Sequence, residues 1–186
     1  MGSNSNTIYD IIILGAGVSG IGMAHSLLKA KNQTFLIIEK NNGVGGTWRN
    51  NTYPGLCCDV PSHFYSYSFS MNPNWSKTFP EQYEILEYLE SVTDKFNIRP
   101  HIKFNSEVKE SKFNQKENYW ETSLLNGDIY KSRSLVSGLG QLNNPKYPDI
   151  DGLSDFGGHS FHSAQWDHDY NLEGKKVAVI GNGPSA

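Results

Sequence analysis

Gly15, Gly17 and Gly20 are the first residues of this chain whose type and spacing could do chemistry. At this spacing the first glycine permits a tight turn and the second lets the backbone approach a pyrophosphate. The third lets a following helix pack closely on the preceding strand, and the N–H groups opening that helix stabilise phosphate charge. Glu39 follows at the distance from which a carboxylate accepts hydrogen bonds from a ribose 2′-hydroxyl. Each part has a plainer counterpart, since many GxGxxG matches are ordinary glycine turns and a strand-end acid is often just solvated. A strand before, a helix after and the acid in place together indicate dinucleotide binding.

Three further clusters follow. Gly45-Gly46-Thr47-Trp48, then Tyr53-Pro54-Gly55 and Asp59, suit a loop pressed against a cofactor. Trp48 and Tyr53 offer flat surfaces to a ring system, and Asp59 is a candidate buried carboxylate beside it. The same residues equally read as aromatic loop packing and a turn or cap aspartate. The next cluster is Phe156-x-Gly158-x-x-x-His162-x-x-x-Trp166-Asp167. His162 and Trp166 stand one helical turn apart, but the glycines and the missing apolar stripe argue for a loop carrying a hydrogen-bonded structural histidine. The last cluster is KVAVI followed by Gly181-Asn182-Gly183-Pro184-Ser185-Ala186, a second strand running into a second fingerprint. Two fingerprints imply two dinucleotides, as hydride transfer from a nicotinamide to a flavin requires.

The elements that must position these clusters follow from periodicity. Residues 8–14 form a short apolar run, the mark of a strand buried on both faces. Ile21, Met23, Ala24, Leu27 and Leu28 recur at helical spacing up to Lys31, and residues 34–38 form a second buried strand. Residues 40–79 lack clear periodicity and read as a functional loop. Ile85, Leu86, Leu89, Val92 and Phe96 mark a helix over residues 81–96, stopped by Arg99-Pro100. Residues 102–104, 107–113, 119–125 and 129–130 then predict a small antiparallel meander, with Asn126-Gly127 as a hairpin turn. Residues 135–137 form another short strand ending in Gly138-Leu139-Gly140. Pro145, Pro148 and Gly152 mark a linker, and residues 176–180 predict a fresh buried strand.

With 186 residues and a net charge of -3, the chain has the composition of a globular protein and no basic patch for nucleic acid. No apolar stretch approaches the roughly 18–20 residues that span a bilayer, and the polar first ten residues lack a signal-peptide plan, so a cytoplasmic protein is expected. Cys57 and Cys58 are adjacent and form no disulfide framework; they read as reduced thiols, and no zinc-site spacing or other metal site is evident.

Over residues 9–186 the sequence resembles the class B flavoprotein monooxygenases, specifically the Baeyer–Villiger branch. FGGHSFHSAQWD satisfies the signature FxGxxxHxxxW(P/D) at every fixed position, and GGTWRNNTYPGLCCD fits a second signature of the branch. Its continuation VPSHFYSYSFSMNPNW is similar to one ketone-oxidising subgroup. The resemblance implies an α/β fold: a Rossmann-like, three-layer FAD-binding domain with a small antiparallel meander over residues 1–150. A linker carrying the signature would follow over residues 151–174, and the start of a second Rossmann-like domain, for NADPH, over residues 175–186.

By the same resemblance Gly15, Gly17 and Gly20 would hold the FAD pyrophosphate and Glu39 the adenosine ribose. Gly46, Thr47 and Trp48 would line the flavin, with Tyr53 near its ring, and Gly140 would belong to the glycine turn that closes over FAD. Asp59 would be the catalytic carboxylate by the flavin, partnered by an arginine of the NADPH domain. Phe156, Gly158, His162, Trp166 and Asp167 would form the linker that couples cofactor movement to catalysis, and Gly181 and Gly183 would open the NADPH site. The implied reaction uses NADPH, O₂ and a small-molecule ketone, and yields an ester or lactone through a flavin C4a-peroxide held unprotonated in a dry site. It further implies a fragment, inactive alone, whose remaining NADPH domain lies elsewhere. Two alternatives remain at this point: a monooxygenase of amine nitrogen or sulfide, and a non-catalytic FAD-binding module completed by another chain.

Overall fold

A computed structural model describes residues 7–141, 143–183 and 185. The polar opening residues 1–6, and Pro184 and Ala186 of the second glycine turn, lie outside the described residues.

Strand β1 (Ile8–Leu14) is the hub of a six-stranded sheet. Its side chains alternate between faces, as a strand's must. Ile11 and Ile13 join the large core, whereas Ile12 and Leu14 join a smaller cluster with Ile38 and Leu124. An uninterrupted apolar run is therefore needed here, and the sequence supplies one. Helix α1 (Val18–Ala30) follows and buries Gly20, Ile21, Ala24 and Leu27. Strand β2 (Phe35–Ile38) then pairs parallel with β1, Ile11 opposite Phe35 and Leu14 opposite Ile38.

Residues 40–79 are not wholly irregular. A one-turn helix, α2 (Thr47–Asn50), and a 3-10 turn (Ser62–Phe64) interrupt them. Neither is long enough to show a period in sequence, and the rest of the stretch is the loop expected. Helix α3 (Gln82–Lys95) lays Ile85, Tyr88, Leu89, Val92 and Thr93 into the core that α1 also covers.

Beyond α3 come β3 (Ile102–Lys103), β4 (Val108–Asn114), β5 (Tyr119–Leu124) and β6 (Ile129–Ser137), in the sheet order β3-β2-β1-β6-β5-β4. The Asn126-Gly127 hairpin forms as expected, with Gly127 at φ +90 and Gly127 N–H donating to Leu124 O at 3.1 Å. Two short strands were expected at residues 129–130 and 135–137; one continuous strand is observed. Its first residues pair antiparallel with β5 and its later ones parallel with β1. The polar stretch Lys131-Ser132-Arg133-Ser134 hid this continuity, because ladder hydrogen bonds use backbone and tolerate such side chains. The meander is thus not a separate unit but an extension of the parallel sheet. Val108, Leu124 and Tyr130 from it pack with Ile12, Leu14 and Ile38 on the face opposite the helices, which gives the Rossmann-like α/β fold its third layer.

The expected strand over residues 176–180 is absent. That segment carries no regular structure, and Val179 and Ile180 are 66% and 64% exposed. A strand exists only through its ladder, and no described strand pairs with these residues. Among the described residues no helix is long and apolar enough to cross a membrane.

The β1–β2 junction carries a titratable contact. Asp10 accepts hydrogen bonds from Thr34 N and Oγ1, both at 2.8 Å, and these bonds hold its carboxyl below its ordinary range. A depressed folded-state pKa contributes stability that is present above the unfolded value and lost as pH falls through the folded one. Acid titration followed by circular dichroism should show Asp10→Asn removing part of the stability lost below about pH 4. An unchanged acid profile would dismiss this contact as a source of pH dependence.

Candidate functional site

The C-terminal ends of β1, β2 and β6 converge on one rim. Gly15 N–H donates to Ile38 O and Gly138 N–H to Leu14 O, each at 2.8 Å. Gly15 has φ +96, and a Cβ there would lie 2.7 Å from Gly138 O. A Cβ on Gly20 would lie 2.0 Å from Gly15 O, so turn and helix can pack this closely only with glycine at that position. The roles expected for these two glycines are therefore met by the backbone itself.

Gly17 caps α1 with no side-chain hydrogen bond, and the first turn of α1 holds no acidic residue. Its opening N–H groups are left without a side-chain acceptor, and the positive end of the helix faces outward. Across from Gly17 stands Gly46, at φ +54, where an added Cβ would come within 3.0 Å of Gly17 Cα. Gly45 N–H donates to Ala16 O at 3.0 Å, which ties the two glycine loops together. These two loops leave bare backbone on both sides of the helix start, a cradle suited to a pyrophosphate.

Glu39 ends β2 and is only 4% exposed. Its Oε2 accepts from Ala16 N–H at 2.7 Å, and its Oε1 accepts from the Asn41 backbone and side-chain N–H groups, each at 2.9 Å. A carboxylate offers about four lone-pair sites, so one is left for a ribose hydroxyl. The plainer reading of a solvated strand-end acid does not hold. Beside it Lys40, Asn41, Thr47, Asn50 and Asn143 help line a cleft of about 240 Å³.

Trp48 is buried in the main core, its indole N–H donating to Tyr65 Oη at 2.7 Å and its ring edge-on to Tyr65. Burial pushes the Tyr65 hydroxyl above its ordinary range. In this arrangement Trp48 anchors the loop from beneath, as the packing reading had it. Asp59 is exposed, and the expectation of a buried carboxylate is corrected: the chain turns outward after Cys58, whose side chain takes the buried place. Burial raises the Cys58 thiol, while Cys57 is exposed, and the two stay unbridged.

Tyr53 opens a turn with Gly55 at φ +77 and gathers the later signature. Its ring lies 6.5 Å from that of Trp166, its hydroxyl donates to Ser185 Oγ at 2.9 Å, and the neighbouring Thr52 Oγ1 meets His168 Nε2 at 2.7 Å. His162 Nδ1 accepts from Ala164 N–H at 3.1 Å, the structural role that the residue pattern suggested. Asp167 pairs with His159, and the Phe156 ring covers the space where a Gly158 side chain would stand. Gly140 has φ +75 with open space around it. Gly181 and Gly183 are exposed, and among the described residues no strand leads into them.

The structure therefore brings Gly15, Gly17, Gly20, Glu39, Gly46 and Thr47 to one rim, and sets Tyr53 with Trp166 in a second group. Asp59, Gly181 and Gly183 join neither. Neither Asn41 nor Arg49 stood out in the sequence; an asparagine two places after the strand-end acid was the one local signal for the first.

With the geometry established, comparison with known proteins fits it. The family described as pyridine nucleotide-disulphide oxidoreductase matches over residues 12–186. A Baeyer-Villiger monooxygenase of Pseudomonas aeruginosa is 47% identical over 176 residues, 95% of this chain and 33% of that protein. One from Streptomyces coelicolor is equally similar, over 34% of its length. The crystal structure of cyclohexanone monooxygenase from Rhodococcus sp. Phi1 bound to NADP+ superposes with a TM-score of 0.85 at 40% identity, over 95% of this chain and 34% of that one. The fold and the glycine rim are those of a dinucleotide-binding domain. The chain belongs to the pyridine nucleotide-disulphide oxidoreductase family, and the two bacterial relatives above are Baeyer–Villiger monooxygenases, the branch its signatures resemble. The chain spans about a third of the length of the curated relatives it matches.

Glu39→Ala should leave the Ala16 and Asn41 backbone donors without their acceptor. At about 1–3 kcal/mol for each unsatisfied donor, urea unfolding should show a loss of about 2–6 kcal/mol. A loss below about 0.5 kcal/mol, the range of ordinary surface substitutions, would mean that Glu39 does not hold the turn.

Proposed function

We infer that this chain is the FAD-holding part of an NADPH-using monooxygenase that converts ketones to esters or lactones. The observation that carries the reading is the facing pair Gly17 and Gly46 over the uncapped start of α1, with the Glu39 carboxylate buried beside it. A pyrophosphate fits the backbone cradle, and an adenosine ribose fits the remaining lone pair of Glu39. When bound, FAD supplies the redox chemistry, accepting a hydride and activating O₂.

The chain's own residues bind and orient. Gly15 and Gly20 let the turn close, and Thr47 borders the cleft beside Glu39. Tyr53 lies against Trp166, and Ala164 and Gln165 of the signature segment line the same cleft as Thr47. Asp59, standing free at the surface, is suited to meet a cation. Each of the chain's three arginines is already paired: Arg49 with Glu90, Arg99 with Asp94 and Arg133 with Asp10.

NADPH use is supported by relatives whose structures hold NADP, including a steroid monooxygenase at a TM-score of 0.82 and 40% identity. Residues 175–183 carry no strand or helix that would cradle a nucleotide. The 186 residues alone should bind FAD without consuming NADPH. The intact polypeptide that contains them should yield lactone from a cyclic ketone, with product identified by gas chromatography. Sulfoxide from a sulfide with no lactone from any ketone would move the protein to the nitrogen- and sulfur-oxygenating class.

A further inference from the structure

The loop that faces Gly17 is poor in side chains and must be held from elsewhere. Gly43, Gly45 and Gly46 surround Val44, and two of them take positive φ, +123 at Gly45 and +54 at Gly46. Glycine loses more conformational freedom on ordering than any other residue, so such a loop keeps one shape only under restraint. Part of that restraint is backbone: Gly45 N–H to Ala16 O, and Arg49 N–H and Asn50 N–H to Gly46 O.

The rest is one side chain. Arg49, on α2, folds back over the loop, and its Nε–H donates to Val44 O at 2.6 Å. Its guanidinium lies over Gly43 so closely that a Cβ there would sit 2.4 Å from Cζ. The far side of the same guanidinium pairs with Glu90 on α3. A planar fork can satisfy a carbonyl and a carboxylate at once, which a lysine's point charge cannot do in this geometry. Helix α3 is fixed in the main core through Ile85, Leu89 and Val92. Gln82 of the same helix also donates to Trp48 O, giving α2 a second tie.

We propose that Arg49, braced by Glu90, is a positioning residue of the flavin site: it pins the Gly43–Gly46 loop in the shape that presents Gly46 opposite Gly17. The inference rests on the FAD reading above and adds to it a residue pair that touches no ligand.

The test uses the chain itself with FAD as the probe. Wild type, Arg49→Met, Arg49→Lys and Glu90→Gln are compared by FAD titration, and by hydrogen exchange at the Gly45 amide without flavin. Arg49→Met should weaken FAD binding about tenfold or more, the scale of a lost charge-assisted hydrogen bond, and should speed Gly45 exchange while exchange in β1 stays slow. Arg49→Lys should resemble Arg49→Met, and Glu90→Gln should fall between them and wild type. A folded Arg49→Met with wild-type affinity overturns the proposal, whether or not Gly45 exchange changes. If Arg49→Met fails to fold, Glu90→Gln carries both measurements, and unchanged affinity there overturns the proposal equally. Wild type that binds no FAD overturns the flavin reading and this role with it; wild type that binds while the variants bind equally well removes this role alone.

Discussion

The buried carboxylate of Glu39 is the contact on which the arrangement of the rim depends. It joins three pieces of backbone, the end of β2, the glycine turn at Ala16 and the start of the following loop at Asn41, through bonds of 2.7–2.9 Å. A charge placed this deep would be costly unless hydrogen-bonded, and here the N–H groups of the turn supply the compensation. The turn in turn is held at the mouth of α1, so its geometry and the helix's exposed positive end come as a set. The residue that would greet a ribose is thus also the residue that shapes the phosphate cradle.

Helix α3 plays the complementary part on the other side of the loop. It contributes Tyr88, whose hydroxyl donates to Ser70 O and accepts from Tyr67 N–H, along with Gln82 and Glu90. Through these the helix steadies residues 47–70, a stretch that has almost no regular structure of its own. Trp48 works to the same end from inside, since an indole that is buried and hydrogen-bonded to Tyr65 cannot swing without opening the core. The aromatic run after Asp59 belongs to this packing: Tyr65, Tyr67 and Phe69 lie against the core, and only Phe64 stands clear.

Much of this was legible in residue order, and for physical reasons. A strand buried on both faces needs a continuous apolar run, and β1 has one; a helix covering a sheet needs a stripe, and α3 has one. The glycines were legible because backbone geometry forbids alternatives at Gly15 and Gly20. What stayed hidden depends on partners distant in sequence. The continuity of β6 lies in ladder bonds that polar side chains conceal. The helix α2 is a single turn, too short for a period. Residues 176–180 have the composition of a buried strand, yet composition cannot supply the neighbours that make one. Asp59 could not be placed from its spacing, because the side of the chain that faces inward there is decided by Cys58.

Strand β6 serves two sheets' worth of pairing, antiparallel to β5 at one end and parallel to β1 at the other, before it delivers Gly138 to the rim. Side chains on a strand alternate with period two, so a slip of one residue in the meander would invert every later position of that strand. The hairpin at Asn126-Gly127 therefore sets the phase for the distant end of the domain. A surface turn remote from any ligand acts as a gauge block for the site: a change there that slipped β6 by one residue against β5 and β1 would bring the wrong backbone atom beneath Gly15.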